Sequence, residues 1–207
     1  MINIIDNKFM TSLVDQLRHT GTEPAEFYRI TLLISQLLTY EALKDEEYNI
    51  EDIPMWTGEQ YPATVFDQKR IVIMPILRAG IGMLDGARHL LPAAQVQILG
   101  MYRNEETLQP VWYYNKLPKN MDRQHAILID PMLATGGTLV DAVQELKKHN
   151  CGRITILAIV ASPEGIERLE KETPDVQVFV AAKDDHLNDN GYILPGLGDA
   201  GDRIFNT

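Results

Sequence analysis

The chain has 207 residues, 45% hydrophobic and 23% charged, the balance of a soluble globular protein long enough to bury a core without staples. Its formal net charge is −10, from 29 acids against 19 bases, which is poor equipment for holding nucleic acid. A single cysteine, Cys151, excludes an intrachain disulfide and fits a reducing cytoplasm, and it reads as a small residue at a helix end. No stretch reaches the ~18 apolar residues of a membrane span. The opening MINIIDNKFM also lacks the basic start and apolar run of a signal peptide.

The residues divide into N-terminal helices at about 5–46, a core sheet at about 70–182 and a tail at about 183–207, read as one domain. The second helix, about 24–44, carries Ile30, Leu33, Ile34, Leu37 and Leu38 at the spacing of one apolar stripe. Thr22 or Glu23 caps it, with Pro24 in the first turn. Pro54, Gly58 and Pro62 mark residues 49–68 as irregular or as short edge strands.

Strands and helices then alternate. RIVIMPI (70–76) is a strand, GIGMLDGARHLLP (80–92) a helix, AQVQILGMY (94–102) a strand and HAILID (125–130) another. TLVDAVQELKKHN (138–150) is a helix with Leu139, Val140, Val143 and Leu146 inward, and Gly152 is placed to end it. ITILAIVA (154–161) is a strand covered on both faces, PEGIERLEKE (163–172) a short helix and VQVFVAA (176–182) the last core strand. The alternation predicts an α/β fold with a central, mostly parallel sheet flanked by helices. Residues 103–120 read as an excursion or a hairpin arm. The tail holds four of the 14 glycines and reads as irregular, and long irregular tails are more often functional than idle. The histidines, His19, His89, His125, His149 and His186, read as surface or capping residues.

The motif ILIDPMLATGGT (127–138) joins a buried strand to a helix start through Thr135, Gly136, Gly137 and Thr138. Free N–H groups and the helix dipole make such a start an anion site, and one phosphate is its natural guest. Asp130 stands at the strand's carboxyl end, where open α/β sheets bind ligands, and suits sugar hydroxyls. A Gly-Lys-Ser/Thr ending is missing, so this is no Walker loop. By spacing alone, a plain glycine turn remains open as the alternative.

DPMLATGGT (130–138) resembles the phosphoribosyl pyrophosphate (PRPP) loop of type I phosphoribosyltransferases. Together with ILRAGIGMLDG (76–86), YRNEETLQP (102–110) and GYILPGLGDAGDR (191–203), it resembles the uracil phosphoribosyltransferase family over nearly all of the chain from about residue 26 onward. The last motif is the most specific, because other members of the fold carry different base-binding hoods.

The resemblance implies a type I phosphoribosyltransferase fold with a small arm and a C-terminal hood, and conversion of uracil and PRPP to UMP and pyrophosphate in pyrimidine salvage. It assigns the 5-phosphate to the cradle Ala134, Thr135, Gly136, Gly137 and Thr138, preceded by Pro131, Met132 and Leu133 within the PRPP loop. Asp130 would hold ribose hydroxyls. Arg78 would contact pyrophosphate from a turn that relatives often hold strained or cis, and Arg103 would close over it. Ile193, Gly198, Asp199 and Ala200 would read uracil, with Asp199 also facing PRPP or its magnesium. Mg²⁺ is the implied cofactor, held mainly through PRPP. A GTP effector and a homo-oligomer, dimer or larger, are further implications, and no nucleic-acid or membrane partner is expected. Most type I relatives carry two acids before the apolar part of this loop. Pro131 takes the second place here, so Asp199 is the candidate for the missing contact.

Residue chemistry agrees on the arginines. Taken alone, Arg78 and Arg103 read as surface partners for the many acids; beside a phosphate cradle they suit a pyrophosphate leaving group. Asp202 and Arg203 read as a local pair outside the site. An RNA-binding regulator on the same fold needs a basic face, which this composition lacks. A purine-using enzyme would need a different hood.

Overall fold

The computed structural model describes residues 1–103 and 110–207, the side chains of Arg103 and Pro110 apart. Strand β1 (Ile2–Ile4) opens the chain, a strand that the sequence pattern does not announce. Helix α1 (Lys8–Arg18) follows, with the Asn7 side chain accepting from its first N–H groups. Helix α2 (Pro24–Ala42) starts on Pro24 with no side-chain cap from Glu23, and it buries Ile30, Ile34 and Leu38 of the expected stripe. Leu33 and Leu37 lie only partly buried at its edge. Residues 49–65 adopt the strand alternative: β2 (Asn49–Pro54) and β3 (Gln60–Val65) form a separate two-stranded antiparallel hairpin.

Strand β4 (Ile71–Leu77) leads into α3 (Ile81–Leu90). The single strand expected at 94–102 is broken into β5 (Gln95–Val96) and β6 (Leu99–Arg103). Strand β7 (Pro110–Tyr114) returns antiparallel to β6, so the 103–120 segment starts as a hairpin arm. The loop residues 104–109 lie outside the described residues. Next come β8 (His125–Ile129), β9 (Met132–Leu133), α4 (Gly137–Lys148), β10 (Arg153–Ala161), α5 (Pro163–Glu172) and β11 (Gln177–Lys183). Two expectations fail after α4 and in the tail. Asn150, with φ of 56°, takes the left-handed position that Gly152 was expected to supply. The tail is not irregular throughout, since it contains the small hairpin β12 (His186–Leu187) and β13 (Ile193–Leu194) and the short helix α6 (Ala200–Phe205).

Among the described residues the main sheet has nine strands along the order β1-β11-β10-β8-β4-β6-β7, with β5 beside β4 and β9 beside β10. All its pairings are parallel except β6 with β7. Alternate residues of β4 explain the two layers of helix. Ile71 and Ile73 join one core with Ile30, Ile34 and Met83, while Val72 and Met74 join another with Leu139, Val143 and Leu146. The sheet is thus covered on both faces, as continuous aliphatic strands require.

His125 corrects the surface reading of the histidines. It is buried, with Nε2 at 2.8 Å from Thr155 Oγ1 and Nδ1 at 2.9 Å from Glu46 Oε1. Arg153 donates to the same Glu46 oxygen at 2.8 Å, so the imidazole belongs to a polar network at the amino ends of the strands. Cys151 is half-buried, and burial pushes its thiol pKa up, against any role as a nucleophile.

Candidate active site

Chain order sets the position of the site. From β4 the chain moves outward to β6 on one side, then returns to β8 on the other. The carboxyl ends of β4 and β8 therefore flank a topological switch point, the usual ligand crevice of an open α/β sheet. Arg78 follows β4 and Asp130 follows β8, on neighbouring strands with Pro75 opposite Ile129.

Asp130 leaves the sheet in a short turn, its Oδ1 accepting from the Met132 N–H at 3.1 Å. The buried Pro131 carbonyl accepts from Ile159 and Val160 at 3.0 and 3.1 Å, and β9 pairs with the end of β10. The loop then turns at Gly136, whose φ of 74° suits glycine, and α4 begins at Gly137. Gly136 stands at the N-cap without a side-chain cap, and among the described residues none supplies one. The first N–H groups of α4 are left for a ligand, with the helix dipole behind them.

A cavity of about 220 Å³ lies against this loop. Asp130, the run from Met132 to Leu139, Asp199, and the tail residues Gly191, Tyr192 and Ile193 line it. The structure therefore brings the Thr135–Thr138 turn, both carboxylates and part of the tail to one cavity. Burial pushes the Asp130 carboxyl up to about 6, against the opposing pull of the Met132 N–H. Asp199 caps α6, with Oδ1 accepting from the Asp202 N–H at 2.9 Å.

Other predicted residues lie at the border or away from the cavity. Arg78 is exposed, follows a cis Leu77–Arg78 peptide bond and donates from Nη2 to Asp202 Oδ1 at 2.8 Å. Arg103 ends β6, and its side chain lies outside the described residues. Ile193 is buried on the cavity wall, whereas Ala200, fully buried as the first residue of α6, and the exposed Gly198 border Asp199 without lining the cavity. Asp202 and Arg203 do not form the expected pair. Asp202 turns to Arg78, whereas Arg203 donates to the carbonyls of Leu17, His19 and Leu197 and stacks on Phe27 at 4.2 Å.

Sequence motifs miss the supports of the site. Asp184 is buried and pairs with Arg18; it also accepts from the Gly196 N–H at 2.9 Å, tying the hood to α1. Ser162 is the N-cap of α5, and its hydroxyl also reaches the cradle backbone at Ala134. Among the described residues no cluster of three acids, histidines or cysteines can hold a metal by itself. Asp130 and Asp199 are the two carboxylates on the cavity wall, a donor set that suits a hard cation sharing its shell with water and substrate oxygens.

The comparisons with known proteins bear on the fold and the family. The family model described as uracil phosphoribosyltransferase matches residues 4–207. The structure of the AQ2163 protein from Aquifex aeolicus is 38% identical, with a TM-score of 0.94, and the match covers 99% of this chain and 98% of that one. Two more distant structures share the fold. The TT1426 protein from Thermus thermophilus is 15% identical at a TM-score of 0.50, covering 85% and 96% of the two chains. A hypoxanthine-guanine phosphoribosyltransferase from Bacillus anthracis is 11% identical at 0.50, covering 78% and 82%. Among the described residues no helix is long and apolar enough to cross a membrane. The chain carries the phosphoribosyltransferase fold, and it belongs to the uracil phosphoribosyltransferase family, a membership that makes it a phosphoribosyl-transferring enzyme.

Proposed function

We propose that the chain transfers the phosphoribosyl group of PRPP to uracil, releasing UMP and pyrophosphate. The observation that carries this reading is one cavity shared by an uncapped helix start, two carboxylates and the glycine-rich tail. The free N–H groups of α4, with the hydroxyls of Thr135 and Thr138, take the 5-phosphate. Asp130 accepts from ribose hydroxyls. Arg78 and Arg103 take the pyrophosphate charge. Backbone groups at Ile193 and Gly198–Ala200 match the carbonyl and N–H edge of uracil. A base with donors and acceptors exchanged, such as cytosine, leaves backbone partners unpaired there once bound.

The uracil ring nitrogen attacks the anomeric carbon as its bond to the pyrophosphate oxygen breaks, and the ring N–H proton passes to the departing pyrophosphate or to water. Positioning and neutralisation of the leaving group lower the barrier, with no nucleophilic side chain required. Mg²⁺ supplies further neutralisation when bound, and Asp130 and Asp199 are the residues that would share it with substrate oxygens. The active form is a homo-oligomer, a reading supported by the exposed apolar hairpin β2–β3.

The test is pyrophosphate release from PRPP and Mg²⁺ with uracil, cytosine, hypoxanthine or no base. Release with uracil alone, lost in Asp130→Asn and Arg78→Ala, is expected. Release with hypoxanthine and not uracil would replace the substrate, and no release with any base would remove the reading.

A further inference from the structure

We infer that Asp202 is an exchangeable counter-anion for Arg78, competing with pyrophosphate for the guanidinium and taking it back as pyrophosphate leaves. This rests on the reading of Arg78 as a pyrophosphate ligand.

Arg78 and Asp202 are 124 residues apart in sequence and meet through a 2.8 Å bond between Nη2 and Oδ1. The carboxylate is held ready for that contact from two sides. Its Oδ1 also accepts from the Thr207 hydroxyl at 3.1 Å, and its backbone N–H is fixed by Asp199 Oδ1 at 2.9 Å. The backbone of α6 lies close to the Arg78 turn. A Cβ at Gly201 would stand 3.8 Å from both Arg78 Nη2 and the Ala79 methyl. The neighbouring Arg203 does not take the Asp202 charge, because its guanidinium is occupied by three backbone carbonyls.

Exposure makes the pair exchangeable. The side chains are 60% and 46% exposed, and ion pairs at that exposure are weak enough for a polyanion to displace. Product release limits turnover in many enzymes, and a competing carboxylate beside the arginine favours departure of an anionic product. Asp202 weakens the hold of Arg78 on pyrophosphate and refills its coordination after departure. The same turn carries Asp199, which lines the cavity, so the exchange occurs at its border.

The experiment is calorimetric titration of the full chain with pyrophosphate and Mg²⁺, using wild type, Asp202→Asn, Arg78→Ala and the double variant. Asp202→Asn should bind pyrophosphate roughly three- to tenfold more tightly. The gain should shrink with salt and vanish in the Arg78→Ala background. Product inhibition by pyrophosphate should tighten by the same factor. A residue that only supported α6 would weaken binding when replaced; Asp202→Ser, with its melting temperature, repeats the test if the asparagine variant folds poorly. Equal or weaker binding in both variants overturns the inference alone, as does tightening that persists without Arg78. Wild type that binds no pyrophosphate, or binds it unchanged in Arg78→Ala, overturns the reading of Arg78 and the inference with it.

Discussion

The Ser162 hydroxyl donates to the Ala134 carbonyl over 2.7 Å while accepting from the Gly165 N–H at 2.9 Å. One buried oxygen thus caps α5 and fixes the backbone of the phosphate cradle. Ser162→Ala removes both bonds and leaves the part-buried Ala134 carbonyl without this donor. A loss of about 1–2 kcal/mol is expected in urea unfolding, together with a severalfold rise in KM for PRPP. An unchanged KM would show that the cradle is rigid without this support.

The glycines beside the cradle differ in what an added methyl would strike. A Cβ at Gly165 would lie 2.2 Å from the Ala134 oxygen and 2.9 Å from the Leu133 oxygen, both backbone. At Gly137 the nearest atom, 3.0 Å away, is Nη1 of Arg168, the far end of a flexible side chain. Gly165→Ala should therefore displace the loop and abolish PRPP binding, whereas Gly137→Ala should retain part of it. Equal losses in a calorimetric comparison would contradict this steric account.

Asp130 gives a pH prediction with a definite sign. Burial raises its pKa from 3.8 to about 6, so the folded chain holds the proton more tightly than the unfolded chain. Ionisation then costs stability as pH rises from near 3.8 to about 6, reaching about 3 kcal/mol above that window. Asp130→Asn should raise the melting temperature at pH 7.5 and leave it nearly unchanged at pH 3.5. The same variant should lose roughly two orders of magnitude in kcat/KM, because the proposed function makes the ionised carboxylate the acceptor for ribose hydroxyls. In wild type, kcat/KM should fall as pH drops through about 6. Thermal scans that shift equally at both pH values would rule out the burial cost.

Local patterns were most legible where one residue type repeats. Strand β10 is readable from ITILAIVA because both faces are buried, and α4 from its inward Leu139, Val140, Val143 and Leu146. The cradle is readable because strand, glycines and helix start are contiguous. Long-range polar contacts are not. Arg18 and Asp184 are 166 residues apart, and neither lies in a motif. His125 sits at the start of an apolar strand, yet only the fold brings Glu46 and Thr155 to it. Strand β1 is three residues long and gains its identity from pairing with β11. The split between β5 and β6 keeps one register along β4 and falls opposite Pro75, which has no N–H to give the ladder.

The Arg18–Asp184 pair makes the hood depend on α1. Their side chains are 21% and 1% exposed, so removing the arginine strands a buried carboxylate. Arg18→Met should cost about 3–5 kcal/mol, more than Asp184→Asn, which keeps an acceptor for the Gly196 N–H. Base selectivity should fall as well, since Arg18 also donates to the Gly196 carbonyl at 2.9 Å. Uracil-to-cytosine discrimination that survives Arg18→Met would separate the hood from this anchor.

The β2–β3 hairpin forms its own two-stranded sheet, and such a ribbon is marginal in water by itself. Its apolar residues face solvent nonetheless, with Trp56 96%, Ile50 67% and Tyr61 53% exposed. Residues 49–65 carry Glu51, Asp52 and Glu59 and no lysine or arginine, which disfavours an anionic membrane or nucleic acid as the cover. A second copy of the chain is the economical partner, because two reciprocal arm contacts close a dimer. Sedimentation should give a dimer or larger species for wild type, shifted toward the 23.4 kDa monomer by Trp56→Ser with Tyr61→Ser. A wild-type monomer would leave the hairpin's exposure unexplained and remove the oligomer from the proposed function.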